Sequence, residues 1–343
     1  MLTYLNQKYR ISIVKSMKSF ILKLILIFIL IFSAVFLSAF YLNQVKNNEK
    51  TYPQEPELSV GILSIALGKY NIFWKKFYES SEKYFLPNAK KEYFLFTDDE
   101  NIPYKNNENV HYIYHENMGW PYNTLMRFDL FLSQKEELKK FDYLFFFNIN
   151  LEFKDFVGDE VLPKGENDGL VIVFHPGFYK KTKDKFTYER NPASTAYIPM
   201  DEGRFYASGA FIGGTSDAFL KLSEVCRDNI QTDLDNDFIA EWHDESHLNK
   251  YLLGKNPLIL PISYLWPEED NNFHDPVYEN NIKAILRDKM KYGGRRWLRG
   301  SSDIKSTPFN RLKYKILSKI APTQEKRDEY KEIEDYLTLF WVH

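Results

Sequence analysis

The stretch that decides the fold is Phe141-Asp-Tyr-Leu-Phe-Phe-Phe-Asn-Ile-Asn-Leu-Glu-Phe153. Residues 143–147 are bulky and apolar without interruption, which predicts a strand covered on both faces, as in the centre of an α/β sheet. The run ends at Asn148 and Asn150, two polar residues one position apart, which can point the same way at the carboxyl end of the strand. Open α/β sheets bind ligands at this edge, so a ligand crevice is predicted there. Because asparagine also favours turns, a plain strand end followed by a turn is the alternative.

Outside this stretch, strand and helix patterns alternate along the chain. Short apolar runs predict further strands at Leu58–Leu67, Tyr93–Thr97, Val110–Tyr114, Gly169–Phe174 and Phe205–Gly214. Apolar residues at helical spacing predict helices after Gly68-Lys-Tyr70, at Thr124–Lys140, at Asp217–Asn229 and from Trp242 to Gly254. This alternation is typical of an α/β fold with a mainly parallel sheet.

Composition limits the class of protein. The chain has 343 residues, of which 17% are aromatic and 27% charged, and this suits one large globular domain or two small ones. The formal net charge is −2, so the charge does not indicate nucleic acid or another polyanion as a partner. Cys226 is the only cysteine, which excludes an intramolecular disulfide and a cysteine-based metal site.

An apolar run near the N-terminus predicts a membrane anchor. Residues 24–42 include three polar residues, Ser33, Ser38 and Tyr41, and a run of this length is enough to cross a bilayer. Cationic residues are more frequent before the run than after it, and this bias predicts a type II signal-anchor. The predicted order is a cytosolic tail (1–23), a transmembrane anchor (24–42) and a stalk (43–57). A cleaved signal peptide is the alternative, although no clear small-residue cleavage site follows the run.

Several segments between about residues 58 and 267 form one specific pattern in their order and spacing. The most specific is Trp242-His-Asp-Glu-Ser-His247 with its flank. The others include Gly61 to Tyr70, Tyr93 to Asp98, Leu125-Met-Arg127, Phe141 to Phe153, Val157-Gly158, His175-Pro-Gly-Phe-Tyr179, Phe186 to Arg190, Ala196 to Pro199, Asp201-Glu-Gly203, Phe211 to Gly214, the extension of the hexapeptide to Leu253, and Tyr264-Leu-Trp266. In these segments the chain resembles glycosyltransferase family 6, which contains the histo-blood-group A and B transferases and the α-1,3-galactosyltransferases. The Asn-x-Asn motif resembles that of the bacterial members.

The resemblance implies a fold and an activity. The fold is GT-A, a Rossmann-like and mainly parallel sheet, with a catalytic domain at residues 58–300 and a C-terminal extension at 301–343. The enzyme is a hexosyltransferase of carbohydrate metabolism that moves galactose or N-acetylgalactosamine from the UDP-sugar to the 3-hydroxyl of a β-galactoside, which can be fucosylated. The α-configuration of the donor is retained.

Glu245 is the residue to which the resemblance assigns the catalytic role. The matching Glu in the family lies against the β-face of the donor sugar, where a carboxylate stabilises the positive charge of an oxocarbenium-like transition state or adds covalently. Without the flanking match, an exposed helix carboxylate is the plainer interpretation.

Further residues match donor and acceptor positions of the family. The donor-binding positions are Ile65, Leu67, Tyr70, Arg127, Asn148, Asn150, Ser208, Gly209 and Ala210, and the acceptor-binding positions are His175, Thr187 and Trp242. Plain core is the alternative for Ile65 and Leu67. The small side chain of Ser208 leaves room for an acetamido group, which favours N-acetylgalactosamine, whereas Ala210 points weakly to galactose. Pro267 replaces a family Asp that helps to bind the acceptor, so the acceptor stays open.

The diphosphate needs a counter-charge, and metal is one source of it. Related glycosyltransferases usually hold a divalent metal with Asp-x-Asp, but here both positions are amides, Asn148 and Asn150. The sequence therefore predicts transfer without a metal or other cofactor, with Mn as the alternative. Lys289, Lys291 and Arg295 are the candidates that neutralise the diphosphate instead, although this basic tail does not match the family residue by residue.

Three questions remain open in the sequence. A catalytically inactive glycan-binding relative with the same fold is the first alternative to an enzyme. The second is a zinc hydrolase built on His243 and His247, which lie four apart, but Glu does not directly follow the first His as in zincins. The third question is the compartment: a membrane location is predicted, in a bacterial membrane or in the Golgi.

Overall fold

The computed structural model describes residues 23, 28–29, 31–39, 58–268, 273–300, 308–323, 327, 330–331 and 334. The chain divides into two units, Met1–Glu57 and Leu58–His343. In the first unit, residues 31–39 are helical. No helix within the ranges given above is both long enough and apolar enough to cross a membrane. The predicted anchor at 24–42 lies partly outside these ranges and the stalk at 43–57 lies wholly outside them, so both stay predictions.

In the described part of the second unit, ten strands form two sheets. The strands are Ser59–Ala66 (β1), Lys90–Thr97 (β2), Val110–Tyr114 (β3), Tyr143–Phe147 (β4), Leu151–Phe153 (β5), Leu170–Phe174 (β6), Ala207–Thr215 (β7), Leu258–Leu260 (β8), Trp266–Pro267 (β9) and Ala284–Leu286 (β10). Seven form a sheet in the order β3-β2-β1-β4-β7-β6-β8. β7 runs antiparallel to both of its neighbours, and the other pairings in this sheet are parallel. The predicted α/β class with a mainly parallel sheet is confirmed.

Among the described residues, the second unit also contains eight helices. They are Trp74–Tyr84 (α1), Tyr122–Leu125 (α2), Arg127–Leu132 (α3), Lys135–Leu138 (α4), Ser216–Asp235 (α5), Asp244–Leu252 (α6), Gly294–Leu298 (α7) and Pro308–Ile320 (α8), with 3-10 turns at Gly68–Phe73 and Lys289–Tyr292. The single helix predicted at Thr124–Lys140 is wrong, because the backbone leaves helical geometry at Met126 and at Gln134. The first of these breaks starts a new helix at Arg127, whose side chain makes buried contacts described below.

The central strand β4 carries the core on both faces, as its unbroken apolar run predicts. Phe145 and Phe147 point to one face and Leu144 and Phe146 to the other, and all four are buried. The first face packs against the rings of Phe77, Phe85, Phe153 and Phe211. Burial of one such ring contributes roughly 1.5–3 kcal/mol, so this strand anchors the position of the residues that follow it.

A close approach between β4 and β7 explains one glycine. A Cβ on Gly213 would lie 2.3 Å from the Phe145 ring, so any side chain there would force the two strands apart. The glycine lets β7 lie flush against the central strand. Its first residues, 207–210, therefore meet the carboxyl end of β4, since the two strands run antiparallel.

The second sheet brings a later part of the chain to the same edge. Its strand order is β5-β10-β9. β10 pairs with β5, the strand that directly follows the Asn148-Ile-Asn150 turn. The Arg287 amide donates a hydrogen bond of 2.8 Å to the Asn150 carbonyl. This pairing positions the segment 287–300 beside the ends of the central strands.

Candidate active site

A cavity of about 410 Å³ opens at the carboxyl ends of β1 and β4. It contains fourteen of the residues predicted above, which come from seven separate parts of the sequence: Ile65, Leu67, Tyr70, Arg127, Asn148, Asn150, His175, Ser208, Gly209, Ala210, Trp242, Glu245, Lys289 and Arg295. Thr187 and Lys291 do not line it. The crevice predicted at the end of the central strand is therefore present, and most of the candidate residues meet in it.

Glu245 lies in the first turn of α6 and lines the cavity. Its Oε2 accepts a hydrogen bond of 2.7 Å from the Gly209 amide in β7. Tyr206, which is fully buried, lies near the same carboxylate. Burial and this neighbouring carboxylate raise the pKa of Tyr206 well above its ordinary value, so the phenol stays a hydrogen-bond donor. The Gly209 amide thus fixes the Glu245 carboxylate at the cavity wall.

Arg127 and Asp244 form a buried ion pair behind this carboxylate. The Arg127 Nε lies 2.9 Å from the Asp244 Oδ2, and both side chains are almost fully buried. The Arg127 Nη1 donates a 2.6 Å hydrogen bond to the Gly209 carbonyl, and its guanidinium lies 4.5 Å from the Phe146 ring centre. Burial raises the pKa of Asp244 to about 7, although Arg127 opposes the shift. The Arg127 guanidinium thus favours the charged form of Asp244, and burial disfavours it.

Gly209 lies between these three charged side chains. A Cβ there would stand 3.3 Å from the Glu245 Oε2, 3.4 Å from the Arg127 Nη1 and 3.5 Å from the Asp244 Oδ2. Its neighbours Ser208 and Ala210 are buried and also line the cavity. The segment 208–210 thus contributes both hydrogen bonds to the charged groups and small side chains to the cavity surface.

The two asparagines after β4 differ in what their side chains do. The Asn150 Nδ2 donates a 2.9 Å hydrogen bond to the Arg287 carbonyl, which completes a pair with the Arg287 amide bond to the Asn150 carbonyl. Arg287 in turn forms ion pairs with Glu152 and Glu268. The Asn148 side chain has no hydrogen bond within the described part of the chain, and it lines the cavity. One amide therefore holds two segments together, and the other is available to a ligand.

Basic residues of the segment 287–300 line the side of the cavity next to Tyr70. The Lys289 Nζ lies 5.3 Å from the centre of the Tyr70 ring. Arg299 stacks over Trp120 at 3.7 Å, and Trp120 also lies 4.5 Å from the His243 ring. Lys289, Arg295 and Arg299 therefore bring positive charge to a surface that also presents flat aromatic rings, a combination suited to a nucleotide diphosphate.

His175 and Trp242 lie on the cavity wall formed after β6 and before α6. The His175 Nδ1 accepts a 3.0 Å hydrogen bond from the Gly177 amide, and burial lowers the pKa of His175. The ring is therefore neutral at pH 7, and its Nε2 carries the proton. Thr187 stands one layer behind, where its carbonyl accepts from the Tyr206 hydroxyl at 3.4 Å.

His243 and His247 do not point to a common site. His243 lines the cavity in a left-handed backbone conformation (φ 55°), which is costly for a residue other than glycine. His247 is fully buried, and its Nε2 lies 3.6 Å from the Asp233 Oδ2. Burial lowers the pKa of each histidine to about 4. Among the described residues, no group of three His, Cys, Asp or Glu side chains could hold a metal ion, so a zinc site finds no ligand set there.

Several lining residues are absent from the sequence-based prediction. They are Trp120, Asn123, Thr124, Phe146, Ile149, His243, Asp244, Leu286 and Arg299. Asp244 is adjacent to Glu245 in the most specific motif. A buried arginine such as Arg127 needs an acidic partner, and this need is a signal that could have identified Asp244. The polar and aromatic stretch at Trp120–Thr124 follows the end of β3, and its position at the same sheet edge is a second such signal.

Comparison with known proteins gives one consistent family. The profile of "Glycosyltransferase family 6" matches residues 32–290. The chain is 35% identical over 222 residues to histo-blood group ABO system transferase 2 of Rattus norvegicus, covering 62% of this chain and 64% of that protein. It is 35% identical over 238 residues to the O-antigen biosynthesis glycosyltransferase WbnI of Escherichia coli, covering 68% and 95%. It is 30% identical over 223 residues to the human globoside alpha-1,3-N-acetylgalactosaminyltransferase 1, covering 63% of each. The match thus spans less than two thirds of the rat and human proteins.

Proposed function

The chain belongs to glycosyltransferase family 6, and from this premise we propose that it is a retaining α-1,3-hexosyltransferase with a GT-A fold. It moves N-acetylgalactosamine or galactose from the UDP-sugar to the 3-hydroxyl of a β-galactoside. The bond from the anomeric carbon to the diphosphate oxygen breaks, the acceptor oxygen bonds to that carbon on the same face, and UDP and a proton are released.

The observation that carries the proposal is the fixed carboxylate of Glu245. Its Oε2 accepts from the Gly209 amide at 2.7 Å at the wall of a cavity large enough for a sugar ring. A carboxylate held in this way needs no reorganisation when positive charge develops on the anomeric carbon. Arg127 also donates a hydrogen bond to the Gly209 carbonyl and forms a buried ion pair with Asp244, the first residue of α6, so both neighbours of the Glu245 carboxylate are held in place.

The choice between the two donor sugars is assigned to the segment 208–210. Ser208 and Ala210 are both small and line the cavity beside Glu245. The resemblance gives these positions the choice between the two donor sugars, and the small Ser208 favours N-acetylgalactosamine. One support is that a relative of this chain is named for α-1,3-N-acetylgalactosaminyl transfer.

The acceptor is assigned to the wall that contains His175 and Trp242. A neutral His175 offers an Nε2–H donor to a sugar hydroxyl, and the indole face of Trp242 suits the C–H face of a galactose ring. The structure separates Thr187 from the cavity surface, so its expected effect on the acceptor acts through Tyr206.

Transfer without a divalent metal follows from the amides after β4. A carboxylate in place of Asn150 would face the Arg287 carbonyl, to which the present amide donates at 2.9 Å. The Asn150 side chain thus serves the fold as a hydrogen-bond donor. In addition, neutral amides bind a divalent cation far more weakly than carboxylates do. The counter-charge for the leaving UDP is assigned to Lys289 and Arg295, with Asn148 as a hydrogen-bonding partner of the donor.

Removal of metal tests this part of the proposal. Activity is expected to persist in EDTA and to rise little on addition of Mn, because the positive charge is covalently part of the chain. Complete loss of activity in EDTA, restored by Mn, would show that a metal supplies the charge after all.

A single acceptor screen tests the proposal as a whole. Lactose and 2′-fucosyllactose are incubated with each UDP-sugar, and products are identified by mass spectrometry, with Glu245→Gln as the matched control. A product that carries one added hexose or N-acetylhexosamine is expected from the protein and not from the variant. Binding of a galactoside without any UDP release, in both proteins, would favour the inactive glycan-binding relative.

Membrane attachment completes the proposal. The apolar run at residues 24–42 is proposed as a type II anchor that holds the catalytic region at a membrane. Carbonate extraction of membranes from expressing cells tests it, because an integral anchor resists extraction and a peripheral contact does not.

A further inference from the structure

The helix α8 exposes a continuous apolar stripe. Phe309, Leu312, Ile316 and Ile320 are spaced by three or four residues, which places them on one side of the helix. Their side chains are 74%, 59%, 48% and 68% exposed, respectively. All four residues are exposed, so the stripe is a candidate surface for a partner.

The opposite side of the helix is already in contact with the chain. The Tyr314 ring lies 5.9 Å from that of Tyr330, and the Ser318 Oγ donates to Glu334 at 3.4 Å. The Ala321 carbonyl after the helix accepts from Arg327 at 2.6 Å. The stripe is therefore a second surface and not the core-facing side of α8.

Positive charge lies along both edges of the stripe. At 100° per residue, Lys313 falls next to Ile320 on one edge, and Lys315 and Lys319 fall next to Leu312 on the other. Residues 308–320 contain no Asp or Glu, although the chain as a whole has a formal net charge of −2. The positive charge is thus concentrated on this helix and is not a property of the whole surface.

This combination selects one class of partner. A second copy of the same helix would bring lysines against lysines, and a neutral apolar groove would leave the cations without counter-charge. An anionic lipid surface satisfies both features, because acyl chains accept the stripe while lysine ammonium groups reach the headgroups. We propose that α8 lies in the interface of a membrane that contains anionic lipids and binds it through this stripe. This contact is separate from the predicted anchor and does not depend on the catalytic activity.

The experiment uses the full chain in nanodiscs, with an environment-sensitive fluorophore on a single introduced cysteine. Ile316→Cys places the label on the stripe, and Lys140→Cys places it at an exposed position just after α4 as the control. Cys226 is buried, so it does not compete for the label. Nitroxide-bearing lipids in the disc quench the fluorophore if it enters the lipid, and iodide quenches it if it stays in water.

In discs with anionic phosphatidylglycerol, the Ile316→Cys label is expected to be quenched by the nitroxide lipids and protected from iodide, and the Lys140→Cys label to show the reverse. Each Lys→Gln change at positions 313, 315 and 319 is expected to weaken the contact roughly fivefold. Equal quenching in zwitterionic discs would overturn the assignment to anionic lipid. Protection from iodide without lipid quenching would show that another part of the chain or a second copy covers the stripe, and it would overturn the proposal.

Discussion

The cavity has two walls that are built in different ways. The strand-end wall consists of Arg127, residues 208–210 and the start of α6, and its charges are paired with one another and with backbone groups at 2.6–2.9 Å. The C-terminal wall consists of residues 284–300, where Lys289 and Arg299 lie over aromatic rings at 5.3 and 3.7 Å. The first wall fixes one carboxylate, and the second presents a set of cations.

The difference separates two tasks. A transition-state charge needs a partner that is already in place, so its residues are buried and held by the sheet. A diphosphate needs several cations around it, which long side chains on a peripheral segment can provide. The two walls are joined at Asn150, whose side chain and backbone both bond to Arg287. Changes in each wall and at the join should therefore have distinct kinetic effects.

The largest effect is expected at the strand-end wall. Glu245→Gln keeps the size of the side chain but removes the charge that we propose stabilises the anomeric carbon, so turnover is expected to fall at least about a hundredfold. Donor affinity should change much less, because the carboxylate acts in the transition state. Steady-state kinetics and isothermal titration with UDP-sugar measure the two quantities separately. Near-normal turnover of the variant would remove Glu245 from the mechanism.

A smaller effect is expected at the join between the walls. Asn150→Asp places a carboxylate against the Arg287 carbonyl, so the hydrogen bond is lost and donor KM should rise about tenfold, the scale of a lost buried hydrogen bond. Asn148→Asp adds the same charge without breaking a bond to the chain and is the matched control. Hydrogen exchange of residues 287–300 should rise in Asn150→Asp only. Equal exchange in both variants would show that the Asn150 amide does not hold the segment.

A still smaller effect is expected within the C-terminal wall. Lys289→Gln removes one of several cations, so donor KM should rise and turnover should fall together, each by a few-fold. Lys291 is exposed and does not line the cavity, and Lys291→Gln is therefore the control, with an expected change of less than about twofold. A loss of turnover without a change in donor KM would assign Lys289 to the same task as Glu245 and would remove the distinction between the walls.

The smallest effect is expected for the acceptor KM as the pH falls. An unperturbed histidine gains its proton near pH 6.5. Burial lowers the pKa of His175, so the neutral ring persists below that pH, and protonation follows only after a further fall in pH. Acceptor KM should thus stay flat from about pH 8 through about pH 6.5 and rise only below it. A rise in acceptor KM centred at pH 6.5, absent in His175→Gln, would show that the ring is not protected by burial.

The sequence predicts the strand-end wall better than the C-terminal wall. Local patterns locate β4, β3 and the end of β1, because runs of apolar residues are short-range signals. The motif around Glu245 assigns the residues of α6. The break at Met126 and the pairing of Arg127 with Asp244 depend on contacts between distant segments, and these are not encoded in a local pattern.

The C-terminal wall illustrates the remaining limit. Charge alone indicates the basic segment, but it does not distinguish Lys289, which lines the cavity, from Lys291, which does not. That distinction depends on the 3-10 turn at Lys289–Tyr292 and on the docking of β10 against β5. For the same reason, the sequence suggests that Asn148 and Asn150 act alike, whereas one holds the chain and the other faces the cavity.

The central claim is that the fixed Glu245 supports transfer with retention, and the configuration of the product tests it most directly. The protein is incubated in EDTA with an α-configured UDP-sugar and the best acceptor, and the new linkage is determined by proton NMR of the purified product. The account predicts an α-1,3 linkage to the galactose. A β-linked product would contradict it, because the acceptor would then attack from the β-face, and a carboxylate on that face would act as the base of an inverting transfer and not in its proposed role.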